Sequence, residues 1–198
     1  MGRPARVTEA DLIAGATRVA AKLGPAHSSI ALIAQESRAP VGSIYHRYPS
    51  RGALLAEVWL SAAERFQTAS LRLLAAARTE DDAVECALLT PRFSRENHAT
   101  AVVLIAHRRD DFLEPEIPKE YRDRAAKLAV DMRAGIGAAA QRLLPSDPRG
   151  REKLTVALIG IPLGAVRIFL PQAVPPVEID PMIEAAVRAA LKTHERTR

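Results

Sequence analysis

Apolar side chains recur every three or four positions along most of the chain, and the strict alternation of a half-buried strand is nearly absent. The first stripe is Leu12, Ile13, Ala16, Val19, Ala20 and Leu23. Thr8 and Asp11 make a capping-box pair ahead of it and Gly24-Pro25 stops it, so the spacing predicts a helix over 9–23. Ser28 or Ser29 caps a short second helix with Ile30, Ile33 and Ala34 inward, and the run from Ser37 to Pro40 breaks it. Proline suits the first turn of a helix, so Pro40 opens a third helix that ends near Tyr48, with Ile44 and Tyr48 inward. Ser50 then caps a fourth helix with a long apolar face: Leu54, Leu55, Val58, Trp59, Ala62 and Phe66.

The same period predicts further helices over 80–94, 98–112, 118–144, 150–171 and 180–194. Proline-rich breaks separate three of them: EPEIP at 114–118, LPSDP at 144–148 and PQAVPP at 171–176. The fold class is therefore all-α. A three-helix N-terminal domain spans 1–49, and a larger helical domain spans 50–198. The fourth helix joins them without a flexible linker.

Charge changes the picture at the N-terminal end. The whole chain of 198 residues carries +5, yet residues 1–51 hold seven basic side chains against three acidic ones. A basic head on a nearly neutral body suits a polyanion, and a merely soluble basic surface explains it equally well. Cys86 has no second cysteine to pair with, which fits a reducing, cytoplasmic setting. The start, MGRPARVTEADL, lacks the apolar run of a signal peptide. The longest apolar run, Leu154 to Val166, is too short to span a bilayer and contains Pro162, so no membrane association is expected.

Two short helices joined by a tight turn and braced by a longer one make a helix-turn-helix, whose second helix enters the DNA major groove N-terminus first. That helix begins in the stretch PVGSIYHRYPSR, residues 40–51. Pro40, Val41, Gly42 and Ser43 are slender and allow close approach to base edges. Ser43 can bond a base or phosphate, and Val41 can touch a thymine methyl. Tyr45, His46 and Arg47 can reach phosphates beside the groove. Arg51, with the first amides of the fourth helix, can make an anion site.

The stretch SSIALIAQESRAPVGSIYHRYPSRGALLAEVW, residues 28–59, resembles the DNA-binding signature of the TetR family of transcriptional regulators. With the first helix, the resemblance covers residues 8–60. It implies an all-helical homodimer, double-stranded DNA with a palindromic operator, and release of DNA when a small-molecule effector binds the body. It carries DNA contact onto Ser43, Tyr45, His46, Arg47 and Arg51, with Ser29 at a cap. The chain departs from the family at three positions. Arg38 stands where glycine is usual in the turn, Val41 where lysine is common, and Ala31 where a polar or basic residue often sits. Arg38 either contacts a phosphate or strains the turn, because a side chain resists positive φ. Arg3 and Arg6 can reach the neighbouring minor groove.

In the body, Trp59, Phe66, Phe93, His98, Leu104, His107, Phe112, Tyr121, Met132 and Phe169 are candidates for lining an effector pocket. The core set marked for the pocket is Trp59, Phe66, Phe93, His107, Tyr121 and Phe169, and simple core packing accounts for any one of them as well. The helix over 150–171 is apolar nearly all round, and Gly160, Pro162 and Gly164 can kink it. Paired with 180–194 it can form a four-helix contact between two subunits, as the resemblance also implies. Val166, Phe169, Ile183, Val187 and Leu191 are the interface candidates, against packing within one protomer. No metal, cofactor or catalytic site is expected. The five histidines and Cys86 show no HExxH or CxxC spacing, and GxSxG, P-loop and dinucleotide glycine patterns are missing. His107 and Asp111 stand one helical turn apart, which a solvated i,i+4 pair explains. Two other readings stay open: a non-specific architectural DNA binder, and a ligand-binding protein with a degenerate DNA-binding head.

Overall fold

The computed structural model describes residues 7–192, and all the regular structure among them is helical. The chain forms two compact units, one of Met1–Ala63 with Ala99–Ala126 and the other of Glu64–His98 with Lys127–Arg198.

In the first unit, α1 spans Glu9–Leu23, α2 Ile30–Ser37 and α3 Val41–Arg47, and α4 starts at Arg51 and runs to Ala76 in the second. The caps are local sequence chemistry. Asp11 N donates to Thr8 Oγ1 at 3.1 Å, and Thr8 N donates to Asp11 Oδ2 at 3.0 Å. Leu32 N donates to Ser29 Oγ at 3.3 Å, and Ala53 N to Ser50 Oγ at 3.1 Å. Leu12, Ala16, Ile33, Ile44, Leu54 and Leu55 are buried together in the core. Each large one contributes about 1.5–3 kcal/mol by leaving water. Helices α1 and α2 cross closely at Gly15, where an added Cβ would meet Ser37 Cβ at 2.7 Å. Ser37 is buried there and satisfies its hydroxyl by donating to Ile33 O at 2.6 Å.

The helix expected over 98–112 is shorter. Helix α6, His98–Ala101, passes into a π-helical turn, Val102–Ala106, and the chain is extended at His107. A short 3₁₀ turn follows at Arg109–Asp111, tied by Arg108 N donating to Asp111 Oδ2 at 3.0 Å. The break lets Phe112 turn fully into the core, which a continuous helix would not.

In the second unit, α5 spans Glu80–Glu96 and carries α9 and α10 on its flank; α7, Lys119–Leu143, enters this unit after Ala126. The helix expected over 150–171 is interrupted: α8 is Gly150–Thr155, a π-helical turn is Val156–Gly160, and α9 is Ile161–Arg167. Pro162 explains the slip, since it has no N–H for the carbonyl four residues back. Helix α10 is Asp180–Lys192. Arg95 holds it to α5 by donating to Asp180 through both terminal nitrogens, at 3.0 and 2.6 Å. This bidentate pair is largely buried, the geometry in which an ion pair is strong.

Candidate functional site

Helix α3 shows one face to the core and the other to solvent. Ile44 is buried in its middle. Tyr48, just past its end, is buried and donates its hydroxyl to Glu9 Oε1 at 2.8 Å. Burial, reinforced by the Glu9 carboxylate, pushes the Tyr48 phenol well above its ordinary range. The outer face carries Pro40, Val41, Gly42, Tyr45 and His46, all exposed. Val41 is 45% and Tyr45 53% exposed, although both are large apolar or aromatic side chains. An added Cβ at Gly42 would meet nothing within 4 Å. The bareness of Gly42 therefore serves no internal packing, unlike that of Gly15. What it leaves open is the surface itself.

The cationic residues are placed differently from one another. Arg38 caps α2 in the left-handed region, with φ 55°, while its N–H donates back to the end of that helix. This is the conformation in which the resemblance expects glycine. The Arg38 side chain is exposed and makes no hydrogen bond or ion pair among the described residues. Arg47 is half-buried: it donates to Ser43 Oγ at 3.1 Å and to Val7 O at 3.0 Å. It thus ties the end of α3 to the strand of chain before α1. Arg51 does not stand free as a clamp. Its Nε donates to Ser28 O at 2.9 Å, and one terminal nitrogen donates to the carbonyls of Pro25 and Ala26. Ser29, beside that turn, is exposed and serves as the α2 cap. Arg3 and Arg6 lie outside the described residues.

One charged residue at this site had no local sequence signal. The Glu114 carboxylate sits over the start of α4, with Oε1 3.8 Å from the second terminal nitrogen of Arg51 and Oε2 3.4 Å from where a Cβ on Gly52 would be. Sixty-three positions separate Arg51 and Glu114 in sequence, so only the fold reveals the pair. Farther along α4, Glu57 accepts from both terminal nitrogens of Arg124, at 2.6 and 3.1 Å. Burial works to raise the Glu57 pKa, but the bonds from Arg124 and Ser61 outweigh it and hold the carboxyl below its ordinary value.

The six pocket candidates do not line the cavities described here. Trp59, His107 and Tyr121 fall in the first unit; Phe66, Phe93 and Phe169 fall in the second. Phe66 and Phe93 pack edge to face with centroids 5.2 Å apart, and Tyr121 is buried, so these take core roles. Burial also raises the Tyr121 pKa. His107 lies against the end of α1, its Cε1 3.5 Å from where a Cβ on Gly24 would be, and its ring meets Phe112 at 70°. His107 Nε2 is buried without a hydrogen-bond partner among the described residues. The second unit holds an open cleft of about 770 Å³, lined by Leu144, Pro145, Pro148, Lys153, Val156 and Leu191 among others. The first has a groove of about 620 Å³ across α1 and α2, lined by Val19, Lys22, Leu23, Leu32 and Arg38 among others.

The expected interface residues also turn the other way. Val166, Ile183, Val187 and Leu191 are buried within the protomer, and Phe169 is half-buried. The apolar stripe of α10 is used up on its own subunit. The exposed apolar residues lie on the opposite faces. Val156 and Gly160 in the π-helical turn, Gly164 in α9 and Ile168 just past its end follow at four-residue spacing, all exposed, with Ile168 at 78%. On α10, Met182 is 70% exposed and Ala185 is exposed beside it in the same helical face.

No helix among the described residues is long and apolar enough to cross a membrane. Residues 12–58 match the family model described as bacterial regulatory proteins, tetR family. No curated protein matches the chain in sequence. Solved structures match it along nearly its whole length. The transcriptional regulator FadR from Bacillus subtilis, in complex with stearoyl-CoA, is 13% identical with a TM-score of 0.70, covering 92% of this chain and 99% of that one. A TetR family transcription regulator from Marinobacter aquaeolei VT8 is 17% identical with a TM-score of 0.65, covering 92% of each. The multidrug binding protein EbrR, complexed with imidazole, is 20% identical with a TM-score of 0.55, covering 94% and 96%. Over residues 12–58 the chain thus carries a helix-turn-helix that matches the tetR family of bacterial regulatory proteins, and it shares its all-helical fold with these solved structures.

Proposed function

We propose that the protein is a ligand-responsive transcriptional repressor of the cytoplasm that binds a palindromic operator as a homodimer and leaves it when a small molecule binds the body. The observation that carries the DNA contact is the outer face of α3. It exposes Pro40, Val41, Gly42, Tyr45 and His46, and among the described residues nothing lies within 4 Å of where a Cβ on Gly42 would be. Val41 and Ser43 read base edges, Tyr45, His46 and Arg38 reach phosphates, and Ser29 with the first amides of α2 receives another phosphate. Arg47 shapes this surface by holding Ser43.

Two half-sites about 34 Å apart require two α3 helices at that distance, hence a dimer. The dimer face in this reading is the exposed strip Val156, Gly160, Gly164 and Ile168 together with Met182. Glycines at 160 and 164, with open space around them, allow close approach of a second backbone. An effector favours release only by its differential affinity for a conformation in which the two α3 helices leave that spacing. The ligands of the two neighbouring proteins, stearoyl-CoA and imidazole, differ too much in size and charge to suggest one for this chain.

Selection of bound sequences from a random DNA pool at near-physiological salt tests the reading. Enrichment of an inverted repeat is the expected result. Binding without enrichment turns the reading into a non-specific architectural binder, with a steep salt dependence.

A further inference from the structure

Two anchors fasten the segment after α6 to the turn between α1 and α2, all within the first unit. His107 packs on Gly24 at the start of that turn, and Glu114 faces Arg51, whose guanidinium holds the carbonyls of Pro25, Ala26 and Ser28 along it. The turn ends at Ser29, the cap of α2, and α2 carries α3.

The start of α4 is where an anion belongs. Ser50 Oγ already caps Ala53 N at 3.1 Å, the helix dipole favours negative charge there, and Arg51 stands beside it. On a DNA-binding head that anion is a backbone phosphate. Beyond the capping Ser50 hydroxyl, the anionic group beside this place is a carboxylate of the same chain. Glu114 Oε2 lies at van der Waals distance from the position of a Gly52 Cβ, and its Oε1 lies 3.8 Å from Arg51 Nη1. At that separation the pair attracts without a hydrogen bond, so the contact is readily exchanged for a shorter one. Arg51 keeps about a third of its side chain exposed and Glu114 nearly half, so neither is locked away.

We infer that Glu114 is an internal competitor of DNA phosphate for the Arg51 and α4 N-terminal site, which makes it a built-in brake on DNA binding. The inference rests on the proposed DNA-binding function. When DNA binds, the phosphate displaces the carboxylate, and the segment around Glu114 must yield. Conversely, whatever presses that segment onto α4 weakens DNA binding through Arg51. Its partner anchor, the His107 contact with Gly24, makes the same segment sensitive to the end of α1.

The test is Glu114→Gln against Glu116→Gln, each removing one negative charge. Glu116 is exposed and makes no ion pair among the described residues, so it controls for net charge. Binding is measured by titrating fluorescent operator DNA, taken from the selected pool, over a range of salt concentrations. Glu114→Gln is expected to tighten binding about fivefold more than Glu116→Gln with the same salt slope, because the phosphate that displaces Glu114 in the wild type is neutralised in the variant too. On an Arg51→Ala background the gain should vanish. Equal effects of the two glutamine variants, or a gain that survives loss of Arg51, overturns the inference. The first comparison stands even if Arg51→Ala folds poorly. If the wild type binds no DNA, the same proteins are eluted from heparin by salt. Later elution of Glu114→Gln than of Glu116→Gln then supports the brake while the regulator reading falls, and equal elution ends both.

Discussion

Helices α3 and α10 are both short and amphipathic, and function was expected on each, yet the residues singled out are placed oppositely. On α3 the residues singled out were the slender and polar ones, Val41, Gly42, Tyr45 and His46, and they are exposed. On α10 they were the apolar ones, Ile183, Val187 and Leu191, and they are buried in their own subunit. The apolar stripe of a surface helix reports first on the core of its own protomer. An interaction face is better sought in what the stripe leaves over: an apolar residue out of register, such as Met182, or a glycine that nothing inside requires. Gly42 is such a glycine, and so are Gly160 and Gly164.

The sharpest way to break this comparison is to exchange the two faces of the α9–α10 pair. Ile183→Ala removes a fully buried side chain and should lower stability by about 2–5 kcal/mol in urea unfolding, while the protein below its melting range stays dimeric. Ile168→Glu combined with Met182→Glu touches only exposed side chains. It should leave the helical circular dichroism intact and convert the proposed dimer to monomer in sedimentation equilibrium, a loss of about 3 kcal/mol or more of association for a hundredfold weaker contact. A dimer that survives the double charge would place the interface elsewhere.

A smaller effect concerns the brace of the reading head. The Glu57 pKa is held below its ordinary value of 4.5 by Arg124 and Ser61 against the opposing pull of burial. A depressed carboxylate stabilises the fold above its unfolded pKa, and that contribution fades as pH falls through the folded value. Acid unfolding should therefore begin below pH 4.5, and Glu57→Gln should lower stability at neutral pH by about 1–2 kcal/mol and flatten the acid limb. An unchanged acid limb would show that Glu57 does not set it.

The glycines of α1 and α3 sharpen the comparison inside one domain. Gly15→Ala brings a Cβ to 2.7 Å from that of Ser37 and should cost about 1–3 kcal/mol. Gly42→Ala meets no atom and should leave stability unchanged or raise it by up to about 1 kcal/mol through helix propensity. Its DNA affinity should nonetheless drop about tenfold, the loss of a close contact in the groove. Equal affinity of Gly42→Ala and wild type would remove α3 as the reading surface.

These residues also show how far the sequence was legible. The caps at Thr8 and Ser50, a serine cap at 28 or 29, the boundaries of α1 to α3, the start of α4, and the inward turn of Ile44 and Tyr48 followed from local chemistry, because capping and helical period act within a few residues. The π-helical turns did not. Pro162 announced a disturbance, but whether a proline kinks a helix or slips its register depends on the packing around it. The partners of Arg51 were equally hidden. Its place in the motif suggested a phosphate, whereas its bonds run to Pro25, Ala26 and Ser28, more than twenty positions away. The pocket set is not gathered at either cleft described above: aromatic residues mark burial, and only tertiary packing decides which buried ring borders a void.

Arg38 gives the smallest effect and the most specific one. The sequence already raised positive φ at this position, and the structure has it at 55°. Glycine there carries no Cβ penalty, so Arg38→Gly should raise stability by about 0.5–1 kcal/mol. Few surface substitutions stabilise, so a measured gain would identify backbone strain rather than charge as the cause. Arg38→Lys separates the two further, because lysine keeps the charge and the strain together. If strain is retained because the side chain reaches a phosphate, Arg38→Gly should gain stability while losing about one charge from the salt dependence of DNA binding, and Arg38→Lys should change neither. A glycine variant that is more stable and binds DNA with an unchanged salt slope would leave Arg38 with no part in the interface. The reading surface would then be confined to α3 and the cap of α2.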